Sequence, residues 1–191
     1  MTVKQKQNLL AFLGLYDEAI DGIWGSKSQA AMTVVCGVYP DLEEAAALLA
    51  AVADWKEDVT GRDAGDTGTF CEEIEFFARD EFKCTCGGRG CNGFPAEPRE
   101  RLVRNAEAAR KHFGNVAIVS SGVRCALRNS ELPGAAVNSL HMSGRAMDFH
   151  VTGVSAEKLL AFVKTLPDVQ EAYAIDGNYV HMGIMEKGGS V

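Results

Sequence analysis

Apolar residues recur at helical spacing through residues 5–35 of the chain. Two groups of them would each line one face of a helix, the first made of Leu9, Leu10, Phe12 and Leu13 and the second of Ala30, Ala31, Val34 and Val35. Residues 41–56 carry a third strong helical pattern, with Asp41 placed as its N-cap. These patterns predict a small three-helix bundle over residues 1–57.

The pattern changes after a polar, glycine-rich stretch, which we interpret as a linker over residues 58–69. Residues 98–113 then carry the pattern of an amphipathic helix that begins at a proline. Short strand patterns follow at residues 116–119, 146–151, 172–175 and 179–184. The last two flank Asp176-Gly177, a strong hairpin signal. Strands with separate helices predict an α+β domain with an antiparallel sheet over residues 70–191.

Composition and charge exclude some classes of function. The chain has 191 residues and a net charge of -7, and it has no basic stripe of the kind that binds nucleic acid. No window approaches the roughly 18 apolar residues of a membrane span. Residues 1–7 lack the long apolar run of a secretory signal. We therefore expect a monomer with no membrane span and no nucleic-acid partner.

Six cysteines are many for a cytosolic enzyme of this size. Three lie close together and three are dispersed, namely Cys84, Cys86 and Cys91, and Cys36, Cys71 and Cys125. The spacing of the first three is CxCx4C, which differs from the usual CxxC zinc knuckle. A structural zinc site, a disulfide and reduced thiols all remain open, and the connectivity cannot be deduced from the sequence.

A histidine and a carboxylate that suit a zinc ion, His141 and Asp148, lie close together in the chain. A third candidate, His181, follows on the last strand pattern. If the two strands are neighbours, Asp148 and His181 can converge, and His141 can reach in from the loop before the first strand. Two histidines and one carboxylate leave a fourth position for water, which is typical of a catalytic site. The sequence therefore predicts one catalytic Zn²⁺ ion on these three residues.

The motif SxHxxGxAxD in residues 139–148 resembles the signature of the M15 zinc peptidases, which include D-Ala-D-Ala carboxypeptidases, dipeptidases and phage endolysin peptidases. Upstream, SGVR in residues 121–124 resembles a second family motif, and EFKCTCG in residues 81–87 resembles the opening of the subgroup found in phage and prophage lysins. The resemblance covers about residues 70–184. It implies a hedgehog/DD-peptidase-like fold and the ligand set His141, Asp148 and His181.

The resemblance also implies roles for two further residues. Arg124 matches the arginine that holds the scissile carbonyl oxygen or a substrate carboxylate. A guanidinium suits this role because it offers planar, charge-assisted donors to a developing oxyanion. Ser139 is the motif serine, and we expect it to hydrogen-bond behind the metal ligands rather than to act as a nucleophile.

The general base is where the chain departs from the family. Many members have an acid three residues before the last histidine, where this chain has Asn178. The phage subgroup often has an aspartate two residues after it, where this chain has Gly183. The nearest acids are Asp176 and Glu186, and we favour Asp176 as the catalytic base. The alternative is that Asp176 only forms the turn.

The run LGLYDEAIDGIWGSKSQAA in residues 13–31 resembles the peptidoglycan-binding type 1 module, and the match covers roughly residues 3–40. Glu18 stands where glycine is usual, and Cys36-Gly37 replaces the usual Phe-Gln pair. The resemblance implies bacterial peptidoglycan as the binding partner.

Together the two resemblances imply a peptidoglycan hydrolase of the endolysin type, which cleaves an amide bond in the peptide stem or cross-bridge with zinc-activated water. Such a protein would remain in the host cytoplasm until it is released to the cell wall, as we expect from the missing secretory signal. A D-Ala-D-Ala carboxypeptidase of cell-wall metabolism is one alternative. A non-catalytic, zinc-containing wall-binding protein is another, because acids are missing at positions 178 and 183.

Overall fold

A computed structural model describes residues 1–60 and 74–185, without the side chains of residues 56–60. The predicted linker over residues 58–69 falls mostly outside the described residues, as do Cys71 and Glu186. The chain divides into two compact units. The first comprises Met1–Ala64 and Ala126–Ser139, and the second comprises Gly65–Cys125 and Leu140–Val191. Within the described residues, no helix is long and apolar enough to cross a membrane.

The first unit is helical. Its helices are α1 (Val3–Phe12), α2 (Ser26–Val38), α3 (Glu44–Thr60) and the short α5 (Ala126–Ser130). Helices α1, α2 and α3 contact one another, and α5 contacts α1. The buried apolar side chains at their interface include Leu9, Leu10, Met32, Val35, Ala47 and Leu48. Residues 126–139 join this unit from a distant part of the sequence, which no local pattern predicts.

The buried amide of Gln7 organises the loop between α1 and α2. Its Nε2 lies 3.0 Å from an oxygen of Asp21 and 3.1 Å from the hydroxyl of Tyr16. Its Oε1 accepts a hydrogen bond of 2.9 Å from the backbone N–H of Gly22. Gly22 has a φ of 86°, which glycine adopts at little cost. One buried side chain thus holds the loop that carries the peptidoglycan-binding-like motif.

The second unit mixes helices with an antiparallel sheet, which confirms the α+β class predicted for this part of the chain. Its strands are β1 (Ala117–Ser121), β2 (Ala146–Val151), β3 (Val169–Ala174) and β4 (Val180–Ile184), in the order β1-β2-β4-β3. Every neighbouring pair is antiparallel. The helices α4 (Glu100–Phe113) and α6 (Ala156–Val163) contact this sheet and each other. Short 3-10 helices span Arg79–Phe82 and Leu140–Ser143.

Alternation along the strands gives the sheet two different faces. Strand β2 directs Met147, Phe149 and Val151 into the hydrophobic core, and β4 adds Val180, Met182 and Ile184. These side chains are fully buried and belong to one cluster with residues of α4 and α6. Because successive side chains of a strand point to opposite faces, Asp148 and His181 lie on the other face. The core therefore fixes the orientation of the polar face.

Candidate metal centre

The second unit brings the three predicted ligand residues together. Asp148 on β2 and His181 on β4 are direct partners in the antiparallel register. His141 belongs to the 3-10 helix Leu140–Ser143, which precedes β2. The potential ligand atoms of the three residues all lie within 4.8 Å of one another.

The distances between these atoms fit a zinc ion. The Nε2 atom of His141 lies 3.3 Å from the Nδ1 atom of His181 and 3.3 Å from an oxygen of Asp148. The His181 Nδ1 atom lies 2.8 Å from the same oxygen. Ligands about 2.0–2.1 Å from a tetrahedral zinc lie about 3.3 Å apart. The three atoms therefore occupy positions close to three corners of such a tetrahedron.

Hydrogen bonds on the far side of each imidazole set its tautomer. The Nδ1 atom of His141 lies 2.7 Å from the carbonyl oxygen of Gly122, which can only accept, so this nitrogen carries the proton. The Nε2 atom of His181 lies 2.9 Å from the Glu171 carboxylate and likewise donates. Both remaining nitrogens then direct lone pairs towards Asp148. Three acceptors that converge without a donor between them are suited to bind a cation.

Burial and charge place the ligands in the protonation states that a cation requires. His141 is fully buried, and this burial lowers the pKa of its imidazole below 6.5, although Asp148 acts in the opposite direction. Burial alone would raise the pKa of Asp148, but its close contacts with the imidazoles of His141 and His181 lower that pKa below the usual 3.8. At neutral pH, His141 is therefore neutral and Asp148 is ionised, as metal coordination requires.

Glu171 and Tyr173 are residues of this site that the sequence interpretation missed. Both lie on β3, and the ring of Tyr173 stacks on that of His181 with 4.5 Å between centroids. Glu171 is the partner of Gly183 in the register, and its carboxylate reaches His181 from there. The alternation of side chains along β3 could have revealed them, because residues two apart on a strand lie on the same face. The predicted strand began at residue 172 and so excluded Glu171.

The remaining predicted residues occupy different environments. Arg124 follows β1, and its backbone N–H donates to the His141 carbonyl over 3.1 Å. Burial is the main cause of the lowered pKa of His141, and the positive charge of Arg124 lowers it further. Ser139 is half-buried and directly precedes the 3-10 helix. Asp176 is exposed in the turn between β3 and β4, outside the cluster of ligand atoms found among the described residues.

Comparisons with known proteins agree with this geometry. A family model described as Peptidase M15 matches residues 75–183, which is more than half of the chain. The matched segment includes Arg124 and all three residues of the candidate centre. Comparisons with curated proteins and with solved structures gave no match.

Proposed function

This chain belongs to the peptidase M15 family, and from that premise we propose that it is a zinc metallopeptidase acting on the peptide part of bacterial peptidoglycan. The observation that carries the proposal is the convergence of unprotonated ligand atoms from His141, Asp148 and His181 at separations of 2.8–3.3 Å. Two histidines and one carboxylate form an open ligand set, as in catalytic rather than structural zinc sites.

The residues around the centre have complementary roles in this reaction. Zinc bound there would supply a water molecule with a pKa of about 7 and a positive charge beside the substrate carbonyl. Arg124 would hold the oxygen of the scissile amide while negative charge develops on it. Glu171 keeps the His181 ring in place through its hydrogen bond to Nε2. Ser139, at the start of the motif, would support the ligand segment from behind.

The reaction also needs a carboxylate that takes a proton from the attacking water and passes it to the leaving amine. Asp176 is the residue that the sequence favours for this role. Glu171 is a second candidate, because its carboxylate lies 2.9 Å from a ring of the centre. The two are separable by experiment. Loss of the base lowers kcat while zinc stays bound, whereas loss of a residue that only orients His181 lowers zinc affinity.

We further propose that the N-terminal residues form a peptidoglycan-binding module and that the whole chain acts as an endolysin. The loop organised by Gln7 supports this proposal, because it presents Ile23 with 70% of its surface exposed. A tethered wall-binding module raises the local substrate concentration without new catalytic contacts. In this proposal the protein stays in the host cytoplasm until it is released to the wall.

Zinc content and wall hydrolysis, measured on the full chain, test the proposed function. Wild type should contain zinc at the centre and degrade purified peptidoglycan, and His181→Ala should lose both properties. His112→Gln is the matched control. His112 lies near the C-terminal end of α4, stacks on Phe162 and is outside the candidate ligand cluster. Zinc at the centre without hydrolysis of any wall substrate would contradict the peptidase and favour the non-catalytic alternative.

Mass spectrometry of the released muropeptides identifies the bond. Broken stems or cross-bridges support the endolysin, whereas loss of only the terminal D-Ala supports the carboxypeptidase alternative. Binding of the full chain to purified walls, compared with binding of an Ile23→Asp variant, tests the N-terminal module separately. Equal binding by the two would contradict a role for this loop.

A further inference from the structure

Four cysteines form a second cluster of potential ligands, separate from the His141–Asp148–His181 centre. The Sγ atoms of Cys84, Cys86, Cys91 and Cys125 all lie within 4.8 Å of one another. The Sγ atoms of Cys86 and Cys91 lie 3.5 Å apart. Four thiolates about 2.3 Å from a tetrahedral zinc lie about 3.8 Å apart, whereas a disulfide requires about 2.05 Å. The sulfur spacing is therefore that of a metal site.

A backbone donor from the segment after β1 reaches one of the sulfur atoms of the cluster. The N–H of Cys125 donates to the Cys84 sulfur over 3.3 Å. Donors of this kind stabilise the thiolate rather than the thiol, and the thiolate is the form that binds a metal.

The loop conformation depends on glycines between and after the first three cysteines. Gly87 and Gly88 have φ values of 65° and 83°, in the left-handed region. Gly93 has a φ of 112°, and its carbonyl accepts a hydrogen bond of 2.8 Å from the N–H of Cys84. The chain thus turns back on itself between Cys84 and Cys91, and this turn directs both sulfur atoms to the same point.

We propose that Cys84, Cys86, Cys91 and Cys125 bind a second, structural Zn²⁺ ion as four thiolates. Each thiol gives up its proton to solvent on binding, so the site carries two negative charges with the ion in place. Four protein ligands leave no open position, which distinguishes this site from the catalytic one. Three of the four side chains are almost fully buried, with at most 5% of the surface of Cys84, Cys86 and Cys125 exposed.

The position of Cys125 gives this site a role in the catalytic centre. Cys125 directly follows Arg124, and the segment that contains both lies against residues 82–84. The N–H of Val123 donates to the Phe82 carbonyl over 2.8 Å. A Cβ on Gly122 would lie 2.3 Å from that same oxygen, so the two segments are in direct contact.

The same segment supplies two groups to the centre. Its Gly122 carbonyl accepts the hydrogen bond from the His141 ring, and its Arg124 N–H donates to the His141 carbonyl. A zinc ion on the four cysteines would therefore fix the positions of both groups beside His141. Its binding is nevertheless independent of whether the protein hydrolyses peptidoglycan.

Elemental analysis of the full chain, purified with reductant and without chelator, tests the site. Wild type should contain two zinc ions per chain. Cys84→Ser and Cys125→Ser should each retain one, and so should His181→Ala. Cys36→Ser is the matched control and should retain both, because Cys36 lies on α2 in the other unit.

Cobalt substitution identifies which ion each variant keeps, without any assay of activity. Co²⁺ bound to His181→Ala should show strong sulfur-to-cobalt charge-transfer absorption, which Co²⁺ bound to Cys125→Ser should lack. If the cysteine variants fail to fold, the His181→Ala spectrum decides alone. A single zinc in wild type that His181→Ala loses would overturn the proposal. Iron in place of zinc, or disulfides in the intact mass of the denatured protein, would also overturn it.

Discussion

The side chain of Glu171 lies across Gly183, its partner on the neighbouring antiparallel strand. A Cβ on residue 183 would lie 2.8 Å from the Glu171 Cγ atom and 2.7 Å from Leu140 Cδ1. Because glycine leaves this space open, the Glu171 carboxylate reaches the Nε2 atom of His181. The space that a side chain at position 183 would fill is thus occupied here by an acid from the adjacent strand.

This arrangement predicts that Glu171 and Gly183 affect zinc binding together. Glu171→Ala removes the acceptor that orients His181, and we expect zinc affinity to fall by roughly 10–100-fold. Gly183→Ala should also lower the affinity, because the added methyl group displaces Glu171. Chelator competition measures both effects. Glu157→Ala, which removes an exposed glutamate on α6, is the control. An unchanged affinity in Glu171→Ala would show that His181 needs no support from this carboxylate.

Gly144, in the motif of residues 139–148, has a steric role that a matched pair of variants can measure. Gly144 has a φ of 71°, and a Cβ there would lie 1.9 Å from the Glu97 carbonyl oxygen. Gly153 has a similar φ of 74° but nothing within 4 Å of a Cβ. We expect Gly153→Ala to cost about 1 kcal/mol of unfolding free energy from backbone strain, and Gly144→Ala at least about 2 kcal/mol.

Urea unfolding of the metal-free proteins measures these two costs. The comparison isolates the clash, since the two glycines share a backbone conformation and belong to the same unit. Equal costs would mean that strain alone explains the need for glycine at position 144.

The elements that the sequence predicts best are those in which one local pattern dominates. Strand β2 covers the predicted residues 146–151, because its apolar and polar side chains alternate from Met147 to Val151. Helix α3 begins at Glu44 rather than after an N-cap at Asp41. The N–H of Leu42 instead donates to the Tyr39 carbonyl, in a turn around Pro40. The turn at Pro40 therefore replaces the predicted N-cap at Asp41. The spacing of apolar residues in the helix does not reveal such a turn.

In the candidate site, too, the sequence predicts the residues that a local pattern relates and misses those that only tertiary contacts bring together. His141 and Asp148 could be grouped because one motif contains both, and His181 could be added because the side-chain alternation along β2 and β4 lets it face Asp148. Glu171 was missed because the predicted strand began one residue after it, and because the path of its side chain depends on the empty space above Gly183. Cys125 likewise joins the cysteine cluster only through the contact between residues 82–84 and the segment after β1. Such contacts are set by tertiary packing and produce no recognisable spacing of residues in the sequence.

The position of Arg124 predicts a loss of rate without a loss of metal. Arg124→Ala removes charge-assisted donors from the carbonyl oxygen, and we expect kcat to fall by roughly 10²–10³-fold on peptidoglycan peptides. Zinc content should not change, because Arg124 is not one of the three candidate ligand residues. Arg104→Ala is the control, since this arginine pairs with Glu100 on α4. Loss of zinc in Arg124→Ala would show that the residue acts by holding the ligand segment instead.

The buried histidine of the centre predicts how the metal-free protein responds to acid. The pKa of His141 in the folded chain is below its ordinary 6.5, chiefly because of burial, so the unfolded chain takes up a proton more readily. The stabilisation is therefore present above pH 6.5 and is lost as pH falls below it. Asp148, whose pKa is also lowered, adds a loss of the same sign only below pH 3.8.

Thermal unfolding of the chelator-treated protein between pH 7.5 and 5 tests the His141 contribution without a change at Asp148, which stays ionised in both states over that range. We expect Tm to fall across this window, and His141→Gln to reduce the slope, since glutamine does not titrate. Zinc binds the neutral imidazole in the folded state only, so the loaded protein should keep its Tm to lower pH than the metal-free one. A Tm that rises with acid, or the same slope in His141→Gln, would mean that His141 is not held neutral by burial.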